Sequence, residues 1–166
     1  FAESEGNRYI TCINADFSDE NPQHLIVTPR GNWKGKTKGG LILSHNQGKT
    51  FTRLKMPYGL TEELDEAFHQ IECPNVNSGW VAMSPDARNI VWAVAKGDEL
   101  PANRLIVSND MGVRFSLCRI YNKTGKLKIS GKIKVFSDRI YNNLFYAFGE
   151  DSDFYISKDC GKTYFE

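Results

Sequence analysis

The sequence predicts an all-β chain of about three four-stranded antiparallel blades, a partial propeller, with one short helix near residues 60–71. Two observations carry this. Short β-prone apolar runs recur in groups of four, parted by turn residues, as antiparallel blades require. One short motif, Ser-x-Asp/Asn-x-Gly-x-Thr-aromatic, also recurs three times, opening at Ser44, Ser108 and Ser157. A repeat of this kind decides the architecture before any single residue decides the chemistry.

The elements follow in order. First strands fall at 9–13, 79–83 and 132–136, and second strands at 24–27, 89–94 and 143–148. Third strands at 40–43, 104–107 and 153–156 each run into a motif. Fourth strands follow it at 51–54 and 115–118, with a stub at 164–166. The units therefore cover roughly 8–56, 78–120 and 131–166, within a single partial domain over 1–166. Propellers close with about four to eight blades. Three blades leave two outermost faces carrying apolar side chains meant for a neighbour. The expectation is a section of a larger propeller; a compact or self-associating three-blade domain is the alternative.

The motif reads as a turn staple. Its Asp or Asn can accept backbone N–H groups of its own turn, its Gly supplies positive φ, and its hydroxyls tie down the remaining turn groups. The closing aromatic anchors the next strand. Two copies depart from the pattern: Asn46 stands for Asp in the first, and Arg114 for Thr in the second. Between the first two blades, Leu60, Leu64, Phe68 and Ile71 share one helical face, with Thr61 as a candidate cap. The carboxylates Glu62, Glu63, Asp65 and Glu66 then read as its solvated face.

With 166 residues, 40% apolar, 25% charged and a net charge of +1, the composition is that of a globular domain. It carries no electrostatic footprint for nucleic acid or an anionic membrane. No apolar run approaches the roughly 20 residues that span a bilayer. Cys12, Cys73, Cys118 and Cys160 show no short metal spacing; they read as incidental thiols, with two disulfides as the alternative. His24, His45 and His69 lack metal-ligand spacing, so no metal is expected.

Blade topology puts the motif turns on one face and the long loops on the other, where a rigid scaffold commonly displays function. Trp33 is the most pointed candidate there, flanked by Arg30, Asn32 and Lys34, with Tyr58 on the next link. A Trp beside hydrogen-bonding groups suits a sugar ring. A packed loop anchor is the competing reading. Trp80 and Trp92 fall within strands and read as core. Asp98 and Glu99 are adjacent on one loop, a poor acid–base geometry.

The repeated motif resembles the Asp-box of β-propeller glycosidases and some receptors, which leaves sialidases, sortilin-like receptors, photosystem assembly factors and glycoside hydrolase family 74 xyloglucanases open. Three stretches narrow this. Residues 136–148 with the box at 153–164 resemble the Ser-Asp-Arg turn, Phe-Tyr-Ala strand and Phe-Tyr-Val-Ser-Thr-Asp-Gly-Gly box of family 74. Residues 81–92 resemble its Val-Ala-Val-Ser-Ala-Asp-Gly-Lys segment, and residues 13–27 its Ser-Ile-Asp-Tyr-Ala-Glu-x-Asn-Pro run. Asn142-Asn143 stands where that family has Asn-Pro. The resemblance implies part of the carboxy-terminal propeller of a secreted, cofactor-free enzyme that cleaves a β-1,4-glucan such as xyloglucan with inversion, using two aspartates. Neither aspartate motif occurs here, so no catalytic residue carries over. The implied partners are a xyloglucan-like polysaccharide or oligosaccharide and the remaining blades, and the implied location is extracellular. A non-enzymatic binding module, sortilin-like, is the rival.

Overall fold

The computed structural model describes residues 11–30, 32–33, 37–39, 41–54, 56–58, 69–71, 75–95, 104–125, 133–149 and 153–166. Blade 1 is the sheet of β1 (Thr11–Phe17), β2 (Leu25–Arg30), β5 (Ile42–Ser44) and β6 (Thr52–Arg53), in that order. Between its second and third strands lie β3 (Asn32–Trp33) and β4 (Thr37–Gly39), paired antiparallel. The link to the next blade holds β7 (Met56–Tyr58) and β8 (His69–Ile71), also antiparallel. Blade 2 is β9 (Asn75–Met83), β10 (Ile90–Ala95), β11 (Arg104–Ser108) and β12 (Ser116–Leu117). A link strand, β13 (Arg119–Tyr121), leads to blade 3: β14 (Lys134–Ser137), β15 (Phe145–Phe148), β16 (Phe154–Ser157) and β17 (Thr163–Phe165). The chain is all-β, three blades of a propeller.

The expected helix near 60–71 is not what forms at its end. His69–Ile71 is a strand, with Met56 opposite Ile71 and Tyr58 opposite His69. Residues 59–68, including the proposed cap and carboxylates, lie outside the described residues. The physical reason is that four apolar residues spread over one link also suit an extended segment, and an antiparallel partner supplies its backbone bonds.

Alternation with period two sets the blade faces. In β14 to β16, Val135, Phe145, Ala147 and Tyr155 point inward to blade 2 and are buried. Blade 2 answers with Ala82, Val91, Leu105 and Val107. Its opposite face presents Met83, Trp92 and Phe115 to Ile26, Leu41 and Leu43 of blade 1. Two blade interfaces therefore form two apolar cores, each blade standing with its outer face on the inner face of the next. Trp92 is fully buried, as expected of a core residue; Trp80 is half-buried, and it packs on Phe136 with ring centroids 5.4 Å apart.

The fourth strand of blade 2 pairs with β11 for two residues, as β6 does with β5, and the chain then crosses so that β13 runs parallel to β17. The outer edge of blade 3 is thereby covered by chain from the preceding blade, one way to blunt an exposed strand edge.

Candidate functional site

The three box turns share one hydrogen-bond scheme. In each box the Ser hydroxyl donates to the Asp or Asn Oδ1, at 3.0 Å for Ser44–Asn46 and 2.8 Å for Ser108–Asp110 and Ser157–Asp159. The same hydroxyl accepts the Gly N–H, from Gly48 at 2.8 Å, Gly112 at 2.8 Å and Gly161 at 3.0 Å. Oδ1 also accepts the N–H four residues on, from Thr50, Arg114 and Thr163. The staple forms with either Asp or Asn because both offer that oxygen. Arg114 replaces the Thr by placing Nε 3.0 Å from Asp110 Oδ2. A feature not legible in the pattern is that the residue before each glycine is also left-handed: Gln47, Met111 and Cys160 have φ of 58°, 58° and 61°.

These turns set carboxylate acidity. Burial acts to raise Asp110 and Asp159, but it is outweighed by hydrogen bonds from the following amides and the box serines, so both sit below the usual range. Asp138 is lowered by the N–H groups of Tyr141 and Ile140 and by the Tyr146 hydroxyl. A carboxylate whose folded pKa is depressed stabilises the fold above its unfolded value of about 3.9, and that contribution is lost as pH falls toward the folded value. Urea midpoints should therefore drop between about pH 5 and pH 3. Asp159→Asn, which keeps the Oδ1 acceptor as Asn46 does, should flatten that drop. An identical pH slope in the variant and the parent would refute this origin.

The inner ends of the blades converge on Asp16. This residue is 6% exposed, and both its oxygens carry two bonds. Oδ2 accepts the N–H of Met83 at 2.7 Å and the Ser137 hydroxyl at 3.4 Å. Oδ1 accepts the N–H of Phe17 at 2.9 Å and Nη2 of Arg139 at 2.5 Å. Arg139 also reaches Asp19 and the carbonyl of Phe17, and it lies 5.3 Å from the Phe17 ring centroid. One carboxylate thus ties blade 1 to blades 2 and 3. Around it the turns between first and second strands close a ring. Glu20 N–H donates to the Pro85 carbonyl at 2.9 Å, Asp86 N–H to Asn142 Oδ1 at 2.9 Å, and Asn142 Nδ2 to Glu20 Oε1 at 3.3 Å. A carboxylate so fully engaged is a structural tie, not an acid or base for substrate. Sequence reasoning did not single it out. Its signal is a charged residue where the repeat otherwise has Ala82 and Phe136.

The sequence-derived site lies at the other end of the blades. Arg30 closes β2, opposite Thr11 in β1. Asn32 and Trp33 form β3, opposite Lys38 and Thr37. β4 in turn runs parallel to the start of β9, Lys38 opposite Asn75 and Gly39 opposite Val76. Arg30, Asn32 and Trp33 therefore follow one another along a strand end and hairpin held against the opening of blade 2. Tyr58 belongs to the separate β7–β8 sheet, so the backbone ladder does not join it to Trp33. Asp98 and Glu99 lie outside the described residues. Among the described residues no group of three or more His, Cys, Asp or Glu is placed to hold a metal ion. Cys118 and Cys160 are free thiols, each pushed up chiefly by burial. Cys73 lies outside the described residues.

No protein-family model matches the chain, and no curated protein does. Solved structures do. The GH74 xyloglucanase from Xanthomonas campestris matches with a TM-score of 0.60 and 17% identity, over 99% of this chain and 19% of that one. A GH74 enzyme from Niastella koreensis matches with a TM-score of 0.58 and 15% identity, over 95% of this chain and 18% of that one. YCF48 bound to D1 peptide matches with a TM-score of 0.56 and 13% identity, over 93% of this chain and 38% of that one. The chain thus spans about a fifth of the length of the GH74 chains it matches. What these likenesses show is the fold: this chain is an arc of β-propeller.

Proposed function

We propose that the chain is part of a propeller in a secreted glycoside hydrolase of the xyloglucanase kind. It supplies scaffold and one wall of the glycan cleft. The carboxylates that perform hydrolysis belong elsewhere in such an enzyme, and this chain alone is inert. Arg30, Asn32, Trp33 and Tyr58 contact the glycan in this reading. The observation that carries it is the β3–β4 hairpin, a projection from blade 1 paired to the start of β9, at the end of the blades away from the boxes. A paired hairpin offers a Trp on a fixed backbone, and a rigid aromatic suits the apolar face of a sugar ring. The family 74 resemblance and the fold of two GH74 structures support the substrate class.

A second reading has its own observation. YCF48 bound to D1 peptide shares the fold, and the chain covers twice as much of it, 38% against 19%. The same long-loop face would then bind an extended peptide.

Calorimetric titration with xyloglucan oligosaccharides tests the first reading. Saturable binding is expected, weakened about tenfold or more by Trp33→Ala, as loss of about 1.4 kcal/mol implies. Absence of heat from a folded chain sinks the glycan reading and leaves the peptide one.

A further inference from the structure

The outer face of blade 3 is chemically unlike those of blades 1 and 2. The repeats can be registered by one hydrogen bond: Ser18, Ser84 and Asp138 each donate their N–H to the carbonyl that opens the second strand, in His24, Asn89 and Leu144. In that register Ala82, Ala93 and Leu105 of blade 2 correspond to Phe136, Phe148 and Phe154 of blade 3. The blade 2 residues are 0%, 7% and 2% exposed, and their blade 3 counterparts 41%, 42% and 40%. The three rings form a connected run. Phe136 and Phe148 have centroids 5.6 Å apart, and Phe148 and Phe154 4.9 Å apart. Tyr146 stacks on Phe154 at 6.0 Å, and Trp80 extends the run at its inner end. Lys134, 5.3 Å from the Trp80 ring, is a cation at the rim.

In both occupied interfaces an aliphatic outer face receives a partly aromatic inner face. Blade 2 offers small residues on its outer face and receives Phe145, Tyr155 and Tyr164 from blade 3. Blade 1 offers Ile26, Leu41 and Leu43 and receives Met83, Trp92 and Phe115. Packing density is nearly constant in protein interiors, so a bulkier outer face requires a slighter partner.

We propose that the outer face of blade 3 seats a further four-stranded blade whose inner face carries small aliphatic residues in place of aromatic ones. This rests on the reading of the chain as an arc of a larger propeller, and it specifies the chemistry of the neighbour. Continuity with the two existing interfaces favours a blade. A second copy of the chain would have to offer the inner face of its blade 1, where Ala15 and Phe17 are exposed and Leu25 and Val27 half-buried; dependence of protection on concentration separates that occupant from a blade.

The test uses Phe148→Cys and the rate of maleimide labelling at that position, read by peptide mass mapping. It is made in the 166-residue chain and in two extended forms. Each extension follows Glu166 with a copy of link residues 119–132. One then carries a copy of blade 1 (11–54), whose inner face has Leu25 and Ile42 where blade 3 has Phe145 and Tyr155, with its aromatics Phe17 and Phe51 at the box end. The other carries a copy of blade 3 (133–166). Labelling should be fast in the chain at every concentration, slowed tenfold or more by the blade 1 copy, and little changed by the blade 3 copy. Equal labelling in all forms overturns the seat. Equal protection by both copies overturns the requirement for small residues. Protection that grows with concentration in the unextended chain assigns the face to a second copy instead. Phe148→Asp in the unextended chain needs no added blade. It should keep its Tm within about 2 °C; a fall of about 5 °C or more would mean the face is already packed and defeat the proposal. None of these readouts involves glycan, so they stand or fall apart from the calorimetry.

Discussion

Asp16→Ala should destabilise the chain by about 3 kcal/mol in urea unfolding, because removing a buried carboxylate leaves buried donors without an acceptor. Four donors lose their acceptor at once: the N–H groups of Met83 and Phe17, the Ser137 hydroxyl and the Arg139 guanidinium. The Met83 amide is the costliest of these, since it is buried in the interface of blades 1 and 2 and has no water to turn to. Arg139→Ala should cost less, since its side chain is 48% exposed and its departure leaves Asp16 three other donors. The double variant should lie well short of the sum, the mark of a shared contact. On the proposed reading, the consequence for glycan binding is indirect. Asp16 fixes the angles between blades at the box end, and those angles set how the opposite loops, including the β3–β4 hairpin, stand relative to one another. A loss under about 1 kcal/mol would mean that the three blades are held by their apolar interfaces alone.

What could be read from the sequence is what is encoded locally. Third strands and boxes were legible because Ser, Asp and Gly meet within five residues, and each of their roles is satisfied inside one turn. Apolar alternation likewise assigned Val135 and Tyr155 to a buried face without knowledge of their partners. The failures are nonlocal. Arg139 and Asp16 are 123 residues apart, and nothing in either neighbourhood announces the pairing. The crossing of β13 onto β17 depends on an edge supplied by a blade 43 or more residues further along. Periodicity at 60–71 favoured a helix because it weighs one segment by itself, whereas the ladder between Met56–Tyr58 and His69–Ile71 is decided by two. The candidate site stands between these cases. The loop bearing Trp33 could be found from its position in the repeat; its pairing to β9 could not, since Lys38 and Asn75 come from different blades.

Gly79→Ala should cost about 3 kcal/mol, at the upper end for an overpacked site. In the ladder of β9 and β10, Val81 stands opposite Trp92 and Ser78 opposite Val94, which leaves Gly79 and Trp80 facing the single residue Ala93. This is a two-against-one bulge, and it brings the backbones together where Gly79 has no side chain. A Cβ there would lie 2.1 Å from the Ala93 carbonyl oxygen. No rotamer change relieves a clash with backbone, so either the bulge is lost or β10 moves. Both outcomes displace Trp80, which the bulge turns toward Phe136 at the start of the exposed aromatic run. Gly149→Ala is the control, because its Cβ would meet side chains and not backbone, Asp153 at 3.3 Å and the Tyr155 ring at 3.8 Å, and should stay within about 1 kcal/mol. Tryptophan fluorescence adds a readout that stability alone lacks, since Trp80 is half-buried and Trp92 fully buried. The Gly79 variant should shift the emission through Trp80 while folded, before any urea is added. If it melts like the parent with unchanged emission, the bulge is not what holds Trp80 against blade 3.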